Sequence, residues 1–590
     1  MDESSLVLHP SSLVNMSFKI PEKNGEFLCI PPPALIPQLI KSNKERFKAY
    51  NFYIDELNVH YFRKRVREKV LRLSQQYTSA LAIPPPLNKG GKGKVADTII
   101  LTGHQPIFYH PGILVKNLLL NKVGREENIT AINLIVDTDN FKEITVNIPT
   151  YNNGNKINRE TFLSNPSPIP YELSPAPSWE TFRSFIKGID EDLSHHQLKN
   201  LYENFSEFVK KVGNPPFPPL TSPFSPPSEG GEGEVKKGGE GGLSDFMTFI
   251  RRKYEEEIGS QYLEIPLSKI CNTDEFIAFF ISIVREAESF VLVYNYHLGQ
   301  YRKGHKLRYP VNPFPDLSVD NKRLELPFWH FNFPPARGRI FVEYKDGVTT
   351  ICFEKPVPAS LPSNVFIEGF KQGGVEISFK NGETEKAIEI IKKNKIKIRP
   401  RAITLTLFNR MFVSDVFIHG VGGAKYDRIT DGIIRDFYKV EPPNFITASL
   451  TLYPAIPLPV AQGFSPDLIK KLERSLRDMR YNPERYVIPF TPPLEKGGWG
   501  DLIKKKEYLI SLLKEDYIHK KEISIRLREI NEMLYQKIKP AVNEIEEKIK
   551  VLTKQQQEIE AIQRRDYPYF LFSPEEIIKI IGSIKLNLLT

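Results

Sequence analysis

Cysteine is scarce in this chain: Cys29, Cys271 and Cys352 are the three among 590 residues, and they lie far apart. No CxxC pair and no Cys/His cluster occurs, which argues against a disulfide framework and a thiolate zinc site; no metal is expected. Long apolar runs are missing too. The longest, 276–284 and 290–294, fall well short of the ~20 residues that span a bilayer. The start, Met1-Asp2-Glu3-Ser4, is acidic and lacks the basic and apolar regions of an export signal. Few cysteines and no export signal point to the reducing cytoplasm, with no membrane partner. The formal charge of +10 comes from 81 basic and 71 acidic residues, and no Lys/Arg block stands out, so nucleic acid is not expected as a partner. GxSxG, HExxH and GxxxxGK[ST] are all absent, which removes the familiar signatures of serine hydrolases, zincins and P-loop enzymes.

What is present is enough for several folded units: 40% hydrophobic residues over a length that at roughly 100–200 residues per domain makes three to five. Proline is abundant, at 48 residues against a usual ~5%. Part of that excess, with many glycines, sits in three related segments at 85–93, 226–233 and 492–500. Each has Pro-Pro, a short polar stretch and a Gly-Gly-x-Gly ending. Pro-Pro breaks helices and GGxG has nothing to pack, so these read as exposed insertions that a fold reading can splice out.

Three strand–loop–helix units carry the organisation. In the first, Thr98-Ile99-Ile100-Leu101-Thr102 is a β-branched strand, 113–123 a helix with apolar residues at i,i+4, and 131–136 a buried-type strand. The connection should be a right-handed crossover between parallel strands. In the second, an apolar helix begins near Asp274-Glu275 and a strand is expected over 290–294, followed by a polar-aromatic stretch read as an exposed connection. In the third, 416–418 is a strand, His419-Gly420-Val421-Gly422-Gly423-Ala424 a glycine turn, 425–438 a helix and 445–450 a strand. From 523 to 562, Ile523, Leu527, Ile530, Leu534, Ile538, Val542, Ile545, Ile549, Leu552 and Ile559 alternate mainly in steps of 4 and 3, a heptad seam with a stutter near Pro540. The helix at 502–513 is its candidate partner within the chain, and a homodimer through the C-terminal helices is the other expectation. The organisation expected is an N-terminal helical or mixed segment (1–83), an α/β core in two parts (97–165 and 265–460), a helical insert between them (170–260) and a C-terminal helical hairpin or coiled coil (465–590).

The chemistry-bearing candidates follow strands. His104 and Gln105 end the first strand and Asp137 and Asp139 the next, where open α/β sheets bind ligands. They are the catalytic candidates: His104 as an acid–base group near neutral pH, the carboxylates as ligands for Mg²⁺, a ribose hydroxyl or an amine, with an Asx turn as the plain alternative. Gly420, Gly422 and Gly423 open a helix whose N-terminus suits an anion, and Lys425 adds a charge that opposes the macrodipole unless it faces one. All are expected in one crevice for a small-molecule substrate.

These pieces resemble a known family. Thr102-Gly103-His104-Gln105-Pro106 with Pro111-Gly112 resembles the TGQQP…GP stretch of the bacillithiol-biosynthesis cysteine ligases. Asp137-Thr138-Asp139 is similar to their EDHD strand end, and Val421-Gly422-Gly423 to the start of their VGGPGE turn. The resemblance implies a Rossmann-like parallel-sheet core, an inserted domain, a C-terminal coiled coil, and ligase-type chemistry. In that chemistry a cysteine-like amine or thiol is joined to a sugar-derived or carboxylate substrate, with a nucleotide (ATP or ADP) as the cofactor. The chain departs from the pattern at His104, Thr138 and Ala424-Lys425-Tyr426. Those departures keep two other readings open: a binding or scaffolding protein that kept the fold, and a nucleotide-sugar transferase.

Overall fold

The computed structural model describes residues 19–81, 97–152, 154–213, 242–309, 311–320, 323–333, 336–354, 375–380, 383–456, 466–487, 499–515 and 519–586. The proline/glycine segments at 85–93 and 226–233 lie outside these residues. So does the third, except for Trp499-Gly500, which opens the helix Trp499–Glu515.

Short β-branched runs build a central six-stranded sheet: β1 (Glu26–Ile30), β2 (Ile99–His104), β3 (Thr130–Ile135), β4 (Leu263–Pro266), β5 (Val416–His419) and β6 (Ile446–Thr451). Their order in space is β1-β6-β5-β2-β3-β4. The five from β2 to β6 run parallel, and β1 closes the edge antiparallel to β6. The strands expected at 98–102 and 416–418 are thus direct neighbours, with Ile418 opposite Thr102. Two-residue alternation splits the strand side chains. Ile99 and Leu101 join Ile132, Leu134, Leu263 and Ile265 in one core, whereas Ile100 joins Val416, Ile418, Ile446 and Ala448 in another. Burial on both faces is why these strands read as continuous apolar runs.

The N-terminal helices are fastened to this sheet by polar ties. Asp415, just before β5, accepts from Arg63 at 2.8 Å, from Arg67 at 3.0 Å and from the Ile99 N–H at 2.8 Å. Asn43 donates to the carbonyls of Asp415 and Asn444 at 2.8 and 2.7 Å.

Several expectations are corrected. The stretch at 290–294 is helical, inside Ala287–Gly304, and Asn295 and His297 therefore end no strand. Phe290, Val291, Tyr294 and Leu298 are buried at helical spacing, and packing on the large core overrides the β propensity of Phe-Val-Leu-Val-Tyr. The polar-aromatic stretch beyond it is largely exposed from Lys303 to Asp316, as expected, but its later part, 325–329, lies in a largely buried strand. It leads into an antiparallel sheet of Arg323–Phe333, Ala336–Lys345, Val348–Phe353, Val375–Lys380 and Ile398–Pro400. Leu326, Phe328, Ile340, Val342, Ile351 and Phe353 bury one face of that sheet in the same core as Leu101 and Leu134. A long hairpin, Asn140–Tyr151 with Asn155–Pro170, precedes the helices Trp179–Leu193, Lys199–Val212 and Leu243–Glu257.

At the C-terminal end, Lys520–Ile562 is one 43-residue helix with Pro540 inside it. Pro466–Tyr481 and Trp499–Glu515 both pack along it, so its apolar seam is met within the chain. Met479, Ile538 and Val542 form a separate small core there. The chain then returns to the central sheet: Tyr569, Phe570 and Leu571 share a core with Phe108, Tyr109 and Leu114, just beyond β2.

Among the described residues, no helix is long and apolar enough to cross a membrane.

Candidate functional site

Counted from β2, the parallel strands run outward one way through β3 and β4 and the other way through β5 and β6. The order reverses between β2 and β5, and a crevice outside the carboxyl ends of open parallel sheets forms at such a point. His104 ends β2, and Gly420 follows β5 as the N-cap of the helix Val421–Phe437. Ala424 N–H already bonds back to Gly420, so the N–H groups of Val421, Gly422 and Gly423 stand outside the helical ladder. They carry the positive end of the helix dipole at the carboxyl end of β5.

The side chain that joins the two loops is Lys116, on the helix Pro111–Glu126 that follows β2. Its Nζ donates to the Gly103 carbonyl at 2.8 Å, and its Cδ lies 3.8 Å from where a Cβ on Gly420 would stand. Lys116 is 3% exposed and has no carboxylate within ion-pair range among the described residues. Burial alone pulls its ammonium from 10.5 down to about 7. An amine that loses so much on ionisation is a ready partner for an incoming anion.

Two histidines stand near this lysine, and an arginine stands beside one of them. His110 caps the helix Pro111–Glu126 by accepting from the Gly112 N–H at 3.0 Å. Burial, and then the Arg565 charge, push its imidazole down to about 4. Arg565 arrives from beyond the long C-terminal helix and donates to Ser449 Oγ at 2.9 Å and to the Leu450 carbonyl at 3.2 Å on β6. His104 packs edge-on against Tyr109 with ring centres 5.2 Å apart. Burial, and then Lys116, lower its imidazole to about 3. The expectation of a neutral-pH acid–base group at His104 is therefore corrected. Burial disfavours the imidazolium, Lys116 adds a smaller push the same way, and the ring stays neutral through the physiological range.

The other candidates separate. Gln105 donates to Asp139 Oδ2 at 2.8 Å, and the half-exposed Asp139 also lies 3.7 Å from Arg337. Arg337 lies over the Trp329 ring, whose other cationic neighbour is Arg401 at 3.9 Å. Asp137 is instead buried and turned to Ser268, whose N–H donates to it at 2.9 Å and whose hydroxyl donates to its other oxygen. Burial, and then the neighbouring Glu172, raise its carboxyl to about 7. It ties β3 to the helix Leu267–Cys271, while Glu172 takes a bidentate pair from Arg399 of the second sheet. Lys425 is exposed, with no hydrogen bond or ion pair to the other candidates. Lys116, not Lys425, is the buried cation beside Gly420.

The glycines divide as well. A Cβ on Gly423 would stand 3.0 Å from His419 Nδ1, so this glycine makes room for the imidazole that ends β5. His419 in turn sits 2.7 Å from Asp427. Burial opposes the charge on Asp427, but Arg410 and His419 hold its carboxyl well below the usual carboxylate range. Gly422 has open space around it.

Sequence reasoning missed Lys116, His110, Arg565 and Arg337. Lys116 carried a signal: a charge inside Ile113-Leu114-Val115-Lys116, in the apolar part of its helix. Arg565 carried none, because only the return of the C-terminal segment brings it to β6.

No family model and no curated protein matches this chain.

Proposed function

We propose that this chain is a ligase-like enzyme with a doubly wound, Rossmann-like core and a C-terminal coiled-coil hairpin. It joins a cysteine-like amine or thiol compound to a small anionic partner, sugar-derived or a carboxylate. The observation that carries the reading is Lys116: a buried amine without a carboxylate partner among the described residues, between the Gly103 carbonyl and Gly420 at the helix N-terminus. An anion there recovers the charge energy of Lys116 and accepts from the Val421–Gly423 N–H groups, with Arg565 adding long-range attraction. Asp139 and Arg337 stand side by side and part-exposed. They suit the two ends of an amino-acid zwitterion, ammonium on the carboxylate and carboxylate on the guanidinium. Neutral His104, next in the chain to Gly103, can accept a hydrogen bond from the acceptor compound.

A buried cation beside unpaired N–H groups also fits phosphates, so Lys116, Val421, Gly422 and Gly423 would hold those of a nucleotide. Such a cofactor would supply an activated phosphoryl group.

Calorimetric titration of the full chain with ADP, malate, cysteine and alanine tests the reading. Binding of ADP or malate, lost in Lys116→Met, together with cysteine or alanine binding lost in Asp139→Asn, is expected. Heat-silent titrations with all four compounds would overturn it.

A further inference from the structure

A cavity of about 500 Å3 lies on the other side of the helix Val421–Phe437 from Lys116, beside β1 and the connection into β6. Typical small-molecule sites measure ~300–1,000 Å3. Four segments wall it: the exit of β1 with the helix Ile36–Ala49, the end of the helix Ala287–Gly304, the middle of Val421–Phe437, and the connection into β6. Neither Lys116 nor His104 nor Gly420 lines it.

Its walls combine an apolar body with one unanswered charge. Leu35, Leu39, Ile429 and Phe445 supply apolar surface, and Tyr301 stacks on His305 with ring centres 4.0 Å apart. Three guanidiniums line it, from Arg46, Arg428 and Arg435, against the carboxylates of Asp431 and Glu441. Asp431 is already committed to Arg410 at 2.7 Å and Arg428 at 3.4 Å, and Glu441 lies 3.5 Å from Arg435. His297 is held by Asp436 at 2.6 Å and packs so closely on Gly432 that a side chain there would collide with its ring. Arg46 is left over. It donates to the Pro442 carbonyl at 2.6 Å and has no carboxylate within ion-pair distance among the described residues.

A second observation points the same way. Thr447 lines the cavity at 1% exposure, and its Oγ1 has no hydrogen-bond partner among the described residues. A buried hydroxyl without a partner costs free energy that a bound polar group would return.

We infer that this cavity binds a small monoanionic carboxylic acid with an aromatic or branched apolar body. The carboxylate pairs with Arg46, the body packs on Leu39, Ile429 and Phe445, and a polar substituent meets the Thr447 hydroxyl. One uncommitted guanidinium matches one negative charge; a phosphate dianion would leave the second charge beside Asp431 and Glu441.

Fluorescence titration of the full chain with 8-anilinonaphthalene-1-sulfonate, an aryl monoanion, reads the site. Competition with 1-naphthoate, neutral 1-naphthalenemethanol and inorganic phosphate reads its selectivity. One saturable class of sites is expected, displaced by naphthoate at least tenfold better than by the alcohol and not by phosphate. Arg46→Gln should weaken the probe about tenfold. Ser42→Trp, a substitution at an exposed position on the rim, should block it without touching the core. Binding should persist in Lys116→Met. The inference fails if no saturable class appears, if Ser42→Trp and Arg46→Gln both bind like the parent, or if Lys116→Met alone abolishes binding.

Discussion

Lys116 makes the stability of this protein depend on pH in a window where few other groups titrate. Its ammonium is held near 7 in the folded chain and near 10.5 once unfolded. The folded value is the lower one, so between them the unfolded chain binds the proton that the folded chain has released. Stability then rises with pH across that window. The penalty of carrying the charge buried is full below pH 7 and gone above about 10.5; its size is on the order of 5 kcal/mol. Lys116→Met keeps the volume and removes the charge, at the loss of one hydrogen bond to Gly103 worth about 1–3 kcal/mol. At pH 6.5 the variant should be more stable than the parent by about 2–4 kcal/mol, and by pH 9.5 the order should reverse or the gap close. Urea unfolding of both chains from pH 6 to 9.5 measures this directly, read as the difference between them so that other titrations cancel. Saturating malate or ADP, if either occupies the crevice, should flatten the slope of the parent alone, because an anion beside Lys116 lifts its ammonium back up. Parallel stability curves for parent and variant would refute the argument, since the only titrating difference between them is this amine.

Asp137→Asn should be tolerated: the folded carboxyl sits at about 7, above its unfolded 3.8, so its destabilising effect grows as pH rises from about 4 to 7 and is full beyond. The variant should match or exceed the parent at pH 8, and a loss above about 2 kcal/mol in urea unfolding would contradict this. Asp415→Ala leaves Arg63 and Arg67 buried without their carboxylate and should cost about 3–5 kcal/mol in the same assay; a cost under about 1 kcal/mol would make the tie of the N-terminal helices dispensable. Val542→Asp puts a charge where the side chain is 1% exposed, against Met479 and Ile538. Limited proteolysis should then cut within 466–515 sooner than in the parent, with the central sheet intact; an unchanged digest would mean that the seam does not hold those helices.

Much of the central sheet was legible in the sequence. Strands β2, β3, β5 and β6 are short β-branched runs bounded by glycine or polar turns, and both faces of the sheet are buried. Local composition and burial therefore agree, and the helices between them follow from i,i+4 apolar spacing. The run at 290–294 misled for the complementary reason. Five apolar residues fit either period, and only the arrival of the second sheet and of the helix Val421–Phe437 makes the helical face the buried one. That second sheet was missed although two of its pairings are tight hairpins, Arg323–Phe333 with Ala336–Lys345 and Ala336–Lys345 with Val348–Phe353; its other two strands, Val375–Lys380 and Ile398–Pro400, join from farther along the chain. The edge strand β1 was missed because its one partner, β6, begins some four hundred residues later.

For the site, sequence by itself determined that the loops after β2 and β5 lie at strand carboxyl ends; that the two strands are neighbours, so that these loops share an edge, only the tertiary structure decided. Nor did sequence determine which side chains would stand there. Asp137 and Asp139 are two residues apart, yet one is buried against Ser268 and the other reaches Gln105 and Arg337, because side chains in such a turn point in different directions. Lys425 had the right neighbourhood in sequence and points to solvent; Lys116, in a helix that read as core, supplies the buried charge. Charge placement is set by burial and by distance through space. Those are properties of the tertiary structure, and a one-dimensional pattern records neither.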